Sequence, residues 1–502
     1  MPAPKRIFNR TGAQGTQRKN VRFLHVSSIA RLRGGVCSAR MEPMQKLFRH
    51  LYLRCRIGYH RLRPAYALLI GYSFYVLVTF ALLCLPFCRT AADVPIIDIL
   101  FTALAAISTS GLQTVNFAET YNLLGQIVVL LGIQIGGLGY MTLGSCVILA
   151  SKGHLSRNRL KIGQAVLAMP ESFDPLRFLR HIIIFTFIIE LIGASILWGF
   201  FAAAGVPNPL WAAIFHSVTA FCTAGISIFP DNLVAFSDNT AITLTIALLS
   251  LLGGIGFIVM DDLYRSVKSK SLRTTLTTRI ILAATFGSIL VGTLFLFFDP
   301  NVATLALKER LLTAFFQTVS ALTTAGFNTI PISNLASATL VIVIILMILG
   351  ASPSGTGGGL KSTTWSAALA TVLSFFRGKE EITFFGCTVP HSRTTAAFAA
   401  ITLYLTTFAM GTYFLLLFDS NSFESIVFEV ASALGTVGLS YGITPELSAE
   451  GKIVVMLLMY IGRLGVLSLA LGAIALYHDI SYDRRIHHRV EAEPVKEDDI
   501  VL

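Results

Sequence analysis

Four short stretches of the chain carry one polar signature. FTALAAISTSGL (101–112), FHSVTAFCTAGI (215–226), FQTVSALTTAGF (316–327) and FEVASALGTVGL (428–439) align without gaps, at intervals of 101–114 residues. Each opens on phenylalanine (Phe101, Phe215, Phe316, Phe428) and carries alanine at one shared column (Ala106, Ala220, Ala321, Ala433). Threonine follows three residues later and glycine two after that. The four turns are therefore Thr109-Ser110-Gly111, Thr223-Ala224-Gly225, Thr324-Ala325-Gly326 and Thr436-Val437-Gly438. A single Thr-x-Gly is a common loop tripeptide, and small residues are frequent where membrane helices pack. Four copies in one register are a repeat, and they make the chain a single-chain pseudo-tetramer. The chemistry open to these residues is coordination. Four turns that converge on one axis present a ring of backbone oxygens, which replaces the hydration shell of an ion. Glycine fits there because it accepts positive φ and lets backbones approach closely. A short helix ending at each turn aims its negative end at the ring and favours a cation. None of the four turns contains an acid. That argues against a carboxylate ring for calcium or sodium, and for carbonyl coordination of a monovalent cation.

The elements that must position these turns are apolar. Of 502 residues, 54% are hydrophobic and only 13% charged, about half the charged share of a soluble domain. Mean hydropathy is +0.71. The seven cysteines (Cys37, Cys55, Cys84, Cys88, Cys146, Cys222, Cys387) form no CxxC pair and no Cys/His cluster, so nothing points to a metal or disulfide framework. Apolar runs cover 65–88, 122–150, 181–204, 239–262, 280–298, 338–372, 394–418 and 452–477, each long enough for a membrane span. The stretches 98–110, 211–224, 309–325 and 424–437 lie between alternate pairs and are too short to span. They read as re-entrant segments. The expected fold is all-α, an integral membrane protein of four helix–pore-helix–helix repeats, with eight transmembrane helices in a pseudo-fourfold arrangement. The repeats fall at 65–150, 181–263, 280–372 and 394–477.

Charge sets the orientation. Residues 1–64 hold 15 Lys+Arg against the single acid Glu42. With this arm, the loops at 151–181, 264–279 and 361–393 and the tail 478–502 carry 34 Lys+Arg. The opposite side carries four: Arg89, Lys308, Arg310 and Lys452. Positive charge stays inside, so both termini are expected in the cytoplasm. The basic arm suits the anionic lipid of a cytoplasmic leaflet better than nucleic acid. No apolar stretch of signal-peptide length precedes Pro64.

Two features inside the apolar runs suggest a gate. Gly350, Pro353, Gly355, Gly357, Gly358 and Gly359 interrupt the second long segment of repeat three, and such a run cannot continue a helix. A glycine-rich loop over 350–360, starting 24 residues after Gly326, is expected just below the ring of turns. At membrane depth it must line a pore or be buried in protein. Repeat three alone shows such an interruption. Arg463 is a basic residue within a spanning segment. Aligning IGGLGY (135–140), LGGIGF (252–257) and IGRLGV (461–466) sets it opposite Gly137 and Gly254. Facing the pore it raises the barrier to cations; otherwise it pairs with a carboxylate such as Glu190 or Asp261. Lys361, at the end of the break, is expected to reach cytoplasmic water or a carboxylate. Glu190 is expected to make helix-packing hydrogen bonds to a neighbouring repeat. His216 shares a column with Thr102, Gln317 and Glu429, read as a polar pore-helix position without a ligand role.

These residues carry a resemblance over roughly 65–478 to the membrane subunits of the Trk/Ktr/HKT family of potassium transporters. IQIGGLGYMTLG (133–144), LLGGIGFIVMDDL (251–263), GASPSGTGGGLKSTT (350–364), GTVGLSYGITPELS (435–448) and MYIGRLGVLSL (459–469) are similar to its motifs. Eight spans, with none added before repeat one, look more like the Ktr branch. The resemblance implies potassium uptake across the bacterial inner membrane, with potassium held at the residues of the four turns. Gly111 stands where sodium-transporting members carry serine. It implies a gate at Gly350, Gly355, Gly357, Gly358, Gly359 and Lys361, with Arg463. It also implies a homodimer and a cytosolic ring of nucleotide-binding regulatory subunits. The chain has no GxGxxG following a strand, so a nucleotide site belongs to that partner and no cofactor is expected in this chain. Three other readings are weaker. A sodium-selective or cation-coupled transporter of the same architecture is opposed by Gly111. A secondary carrier predicts two inverted halves rather than four parallel copies. A membrane-embedded enzyme needs a nucleophile with a base, or a metal cluster, among the spans, and Glu190 and Arg463 form neither.

Overall fold

The computed structural model describes residues 64–91, 93–151, 175–268, 274–379 and 381–470. The basic arm up to residue 63, the tail 478–502, Cys37 and Cys55 lie outside the described residues. A long–short–long order of helices occurs four times. Repeat one comprises α1 (Pro64–Leu83), α2 (Ile96–Ser108) and α3 (Leu123–Ser151). Repeat two comprises α4 (Pro175–Ala203), α5 (Pro209–Phe221), α6 (Thr240–Ile255) and α7 (Phe257–Lys268). Repeat three comprises α8 (Leu276–Phe297), α9 (Leu307–Leu322), α10 (Ser337–Leu349) and α11 (Ser362–Phe376). Repeat four comprises α12 (His391–Phe418), α13 (Phe423–Gly435) and α14 (Ala449–Leu464). Among the described residues the only sheet is the hairpin Thr383–Phe384 with Cys387–Thr388.

Each short helix stops in the same way. The threonine after it lies in the left-handed region, with φ of 51° at Thr109, 51° at Thr223, 57° at Thr324 and 49° at Thr436. Its N–H donates three residues back, to the carbonyl of the alanine column: Ala106 (3.1 Å), Ala220 (3.1 Å), Ala321 (3.3 Å) and Ala433 (3.1 Å). The next N–H donates five residues back: Ser110 to Ala105, Ala224 to Thr219, Ala325 to Ser320 and Val437 to Ser432. This is the Schellman closure, and glycine or asparagine is its usual left-handed residue. A β-branched residue in that region is strained, and strain repeated four times marks a site.

The second long segments hold a departure from expectation. Interruption is not confined to repeat three. In repeat two α6 ends at Gly256, with φ of 91°, and α7 leaves at 92° to it. In repeat four α14 ends at Gly465, with φ of 81°. The aligned Gly139 of repeat one stays within the continuous α3. Glycine permits a left-handed stop without imposing one, and surrounding contacts decide. These breaks shorten the helices. Among the described residues three are long and apolar enough to cross a membrane unaided, Arg180–Ala203, Leu276–Phe297 and His391–Phe418, and the bent pair α6–α7 makes a fourth if taken as one span.

The hydrophobic packing explains where the turns sit. One cluster joins repeats one and two through Ile99, Ala106, Val129, Phe215 and Phe221. A second joins repeats two and three, with Phe428 and Ala431 of repeat four, and a third joins repeats four and one through Phe101, Ile107, Val430, Val455 and Met459. The phenylalanine column fills these seams; all four rings are no more than 1% exposed. The outer helices face the other way. Apolar side chains such as Leu191, Leu290 and Leu417 are 61–73% exposed, and the apolar windows of α4, α8 and α12 are only 22–33% buried. A soluble protein does not expose continuous apolar faces of that kind, and hydrocarbon is their natural solvent.

In repeats three and four an aspartate ties the second helix to the first. Asp299, just after α8, accepts from the N–H groups of Asn301 (2.8 Å), Val302 (3.1 Å) and Ala336 (2.9 Å), the last being the cap of α10. Asp419, just after α12, accepts from the N–H and hydroxyl of Ser448, the cap of α14. Burial disfavours the charge on Asp299, but hydrogen bonds from Thr339, Ala336, Val302 and Asn301 outweigh it and hold the carboxyl below the ordinary aspartate range. A lowered folded-state value contributes stability that is present above the unfolded value, about 3.9, and is lost as pH falls through the folded one. Asp299→Asn is expected to cost about 1–3 kcal/mol at neutral pH. In thermal melts of the detergent-solubilised protein, the gap from the wild type should close as pH falls below that range.

Candidate functional site

The four Thr-x-Gly turns meet one another in cyclic order. All four glycines have positive φ: Gly111 78°, Gly225 64°, Gly326 77° and Gly438 96°. A Cβ on Gly111 would run into the carbonyl of Ala224, and one on Gly225 into that of Ala325. A Cβ on Gly326 would meet Val437, and one on Gly438 would meet Ser110, which closes the circle. Both constraints, the dihedral angle and the neighbour's backbone, exclude a side chain at these four positions. The turns are buried except at Gly438, which is half-buried, and each stands at the C-terminal end of its short helix, where the helix dipole is negative. The hydroxyls of Thr109 and Thr436 have no hydrogen-bond partner among the described residues.

In two of the repeats the polar column holds the segment beyond the turn. His216 Nδ1 bonds Ala212 O (2.8 Å) and its Nε2 bonds Ser227 Oγ (2.9 Å), eleven residues on. Glu429 accepts from the Ser440 hydroxyl, also eleven residues on, from the Tyr441 N–H (3.0 Å) and from the Thr444 hydroxyl (3.0 Å). Thr102 only closes on its own helix, donating to Asp98 O. Buried Gln317 has no partner for either amide atom among the described residues. Asn232 adds a contact without a sequence signal, its amide donating to Gly225 O (3.3 Å). The seam between repeats four and one is pinned by Lys452 Nζ on Asp98 Oδ1 at 2.7 Å, with side chains 12% and 6% exposed.

The interrupted segment of repeat three lies directly against the threonines of the ring. Between Gly350 and Lys361 the chain is irregular and mostly buried. The N–H groups of Ser352 and Thr356 donate to Gly254 O (3.0 Å) and Gly253 O (3.1 Å), at the end of α6. Thr356 Oγ1 donates to Phe221 O (2.9 Å) and lies 3.2 Å from the Thr223 hydroxyl. The Gly358 N–H donates to the Thr324 hydroxyl (2.9 Å). A Cβ on Gly358 would collide with Gly435 O and the Thr436 hydroxyl. The loop thus engages threonines of repeats two and three and abuts that of repeat four. Thr356 was not singled out by sequence reasoning; its signal is a polar residue between Gly355 and Gly357.

Two cations fasten the loop. Buried Arg463, 3% exposed, donates through Nη1 to Thr356 O on the loop and through Nη2 to Gly136 O on α3 (2.5 Å). It therefore joins the loop to the far side of the ring. Asp261, one carboxylate considered for it, is paired with Arg265 (2.7 Å) and lies 3.8 Å from His181. Glu190 accepts from Gln134 Nε2 of repeat one (3.1 Å), with the Cys222 thiol 3.8 Å away, and is a packing carboxylate between helices as expected. Lys361 meets the loop itself. Its ammonium turns back onto Gly357 O and Gly358 O, because the positive φ of 69° at Lys361 folds it over the preceding loop.

Close approach explains the paired glycines of the second helices. A Cβ on Gly136, Gly253 or Gly462 would overlap the carbonyl of Ile107, Phe221 or Leu434, near the end of a short helix. Gly136, Gly253 and Gly462 therefore let three second helices lie on the short helices, and in repeats one and two a second glycine follows.

Comparisons with known proteins place the chain in a family. A family model described as TrkH, cation transport protein, matches residues 74–482. The Ktr system potassium uptake protein B of Vibrio alginolyticus is 33% identical over 409 residues, 80% of this chain and 90% of the relative. The potassium/sodium uptake protein NtpJ of Enterococcus hirae is 34% identical over 424 residues, 81% and 92% of the two chains. The crystal structure of the potassium transporter TrkH from Vibrio parahaemolyticus superposes with a TM-score of 0.64, at 20% identity, over 82% of this chain and 85% of that one. That likeness is one of fold. A family model spanning four-fifths of the chain and relatives alike over most of their own length settle its place: this chain belongs to the TrkH family of cation transport proteins.

Proposed function

We propose that this chain is the pore subunit of a potassium uptake system, and the cyclic apposition of its four Thr-x-Gly turns carries that reading. Eight spans in four repeats surround one central path, α6–α7 and α10–α11 each counting as one broken span. Carbonyl oxygens of Thr109, Ser110, Gly111 and their counterparts in the other repeats replace the hydration shell of the cation. The hydroxyls of Thr109 and Thr436 are further oxygens within reach, and the dipoles of α2, α5, α9 and α13 supply negative potential without a fixed acid. The loop from Gly350 to Gly359, fastened by Lys361 and Arg463, is the gate in its closed position. Arg463 is both latch and electrostatic barrier, since a buried guanidinium beneath a cation site repels what the ring attracts. The resemblance adds a homodimer, a cytosolic ring of nucleotide-binding subunits, the plasma membrane and cytoplasmic termini. A second reading, sodium carried with or instead of potassium, draws on the potassium/sodium activity in the name of the Enterococcus hirae relative.

Uptake in a bacterial strain deficient in potassium transport tests the reading. The wild type is expected to restore growth at low potassium and to take up rubidium in preference to sodium. Gly111→Ser places a side chain at φ 78° against the Ala224 carbonyl. It is expected to admit sodium or abolish rescue, with discrimination falling at least about tenfold, the equivalent of ~1.4 kcal/mol. Wild-type sodium uptake that matches rubidium would favour the second reading. Rescue and discrimination unchanged by Gly111→Ser would remove the ring from the selectivity argument.

The gate carries its own expectation. Gly358→Ala prevents the loop from seating between Gly435 and Thr436. Basal rubidium influx into vesicles, measured without regulatory subunit, should rise several-fold while the ion preference stays as in the wild type. Unaltered basal influx in a correctly inserted Gly358→Ala protein would count against the loop as the barrier.

A further inference from the structure

The ring is fourfold in its glycines, but the chain that follows each turn is not. Two residues past the glycine stand Gln113, Ser227, Asn328 and Ser440, and three past it Thr114, Ile228, Thr329 and Tyr441. Repeats one and three thus share an amide followed by threonine. Repeats two and four share a serine followed by a bulky apolar or aromatic side chain. The glycines contact one another in the cyclic order one, two, three, four, so repeats two and four stand on opposite sides of the ring.

That opposite pair is wired alike. His216 Nδ1 donates to Ala212 O, which leaves Nε2 as the acceptor for the Ser227 hydroxyl (2.9 Å). The Ser440 hydroxyl donates likewise to Glu429. Each serine oxygen then accepts from the N–H two residues on, that of Phe229 (3.0 Å) or Gly442 (2.9 Å). Glu429 also takes the Tyr441 N–H and the Thr444 hydroxyl, and the Phe229 ring stacks on His216 with centroids 4.5 Å apart. Ile228 and Tyr441 pack against one apolar cluster. A buried network satisfied in this way holds a single geometry.

The other pair lacks the brace. Thr102 bonds back to its own helix, and neither amide atom of Gln317 has a partner among the described residues. Asn328 donates within its own segment, to Ile330 O (3.0 Å). The hydroxyls of Thr114 and Thr329, residues 6% and 1% exposed, are also without a partner among the described residues.

We propose that His216 and Glu429 are positioning residues that determine specificity: they brace the chain beyond the turns of repeats two and four, so that this opposite pair fixes the width of the ring while repeats one and three adjust to the ion. The inference rests on the ring reading above. A ring held apart along one diagonal cannot contract fully around an ion smaller than potassium, so the brace penalises sodium more than potassium.

Two measurements on the full chain test it. In hydrogen exchange of the purified protein, amides of 227–230 and 440–443 should exchange about tenfold more slowly than those of 113–116 and 328–331. Ser227→Ala and Ser440→Ala should remove most of that difference. In vesicles, each of these substitutions should lower the ratio of rubidium to sodium uptake about fivefold, the factor carried by one hydrogen bond of ordinary strength. Gln113→Ala and Gln317→Leu, at the matching positions of the other pair, should leave the ratio within about twofold, since replacing an unpartnered polar group is close to neutral. Glu429→Gln keeps an acceptor for Ser440 and the Tyr441 N–H, and should retain most of the discrimination that Glu429→Leu loses. Equal exchange in all four segments would overturn the proposal. So would an uptake ratio that the serine variants leave unchanged, or one that Gln113→Ala and Gln317→Leu lower equally in proteins of wild-type melting temperature. A wild type without preference for rubidium over sodium defeats the potassium reading and the specificity role with it, whereas slow exchange of the braced segments would persist.

Discussion

Everything in this molecule depends on how closely four backbones approach one another. Gly111, Gly225, Gly326 and Gly438 each lie against a carbonyl group of the next repeat, in a circle with no room for a Cβ. Backbone groups cannot be left bare at membrane depth unless they face a cavity or each other. The Schellman closure answers this on the inner side of each turn, since both N–H groups after the helix return to it. The carbonyls of the turns lie where the four repeats meet, with that of Gly225 also accepting from the Asn232 amide. Threonine in the left-handed region is the strained element of this solution. Its cost is borne because the phenylalanine and alanine columns hold the short helices rigidly in the seams between repeats.

The irregular segment of repeat three uses the same contacts with the symmetry removed. In repeats one, two and four, a glycine of the second helix sits on a carbonyl near the end of a short helix, at Gly136, Gly253 and Gly462. In repeat three the chain leaves the helical path at Gly350 and runs across beneath the ring. It reaches carbonyls of repeat two, the threonine hydroxyl of its own repeat and the edge of repeat four. One irregular segment meets three repeats because each offers it the same threonine, Thr223, Thr324 or Thr436, at the end of its short helix.

How much of this was legible depended on whether a residue's role is set locally. The repeat, the four turns, the short helices and the loop are visible in sequence because glycine, threonine and alanine act through backbone conformation at their own positions. The breaks at Gly256 and Gly465 were not anticipated, although the aligned Gly139 stays in a helix. The same glycine permits both outcomes, and packing chooses. Lys361 was expected at water or a carboxylate, and its contacts with the carbonyls three and four residues back, reached through a positive φ, had no signal in the sequence. The column of Thr102, His216, Gln317 and Glu429 was recognised as polar. Its use, holding the segment eleven residues on in two of the repeats, depends on a return of the chain that only the fold supplies. Thr356 was missed because nothing in a glycine-rich stretch says which hydroxyl will face the ring.

Arg463 shows why a charge was retained where its aligned neighbours are glycine. A buried guanidinium is tolerated only with acceptors in fixed positions, and two of its acceptors are main-chain carbonyls, one on the loop and one on α3. The carbonyl on α3 also serves the helix, and that of Thr356 belongs to the irregular segment, so one side chain ties the two elements together. The uncharged loop, with glycine at Gly355, Gly357, Gly358 and Gly359, has little of its own to hold it beneath the ring beyond a few hydrogen bonds. The position that repeats one and two fill with Gly137 and Gly254 is therefore the place where the fourth repeat takes hold of the irregular segment of the third.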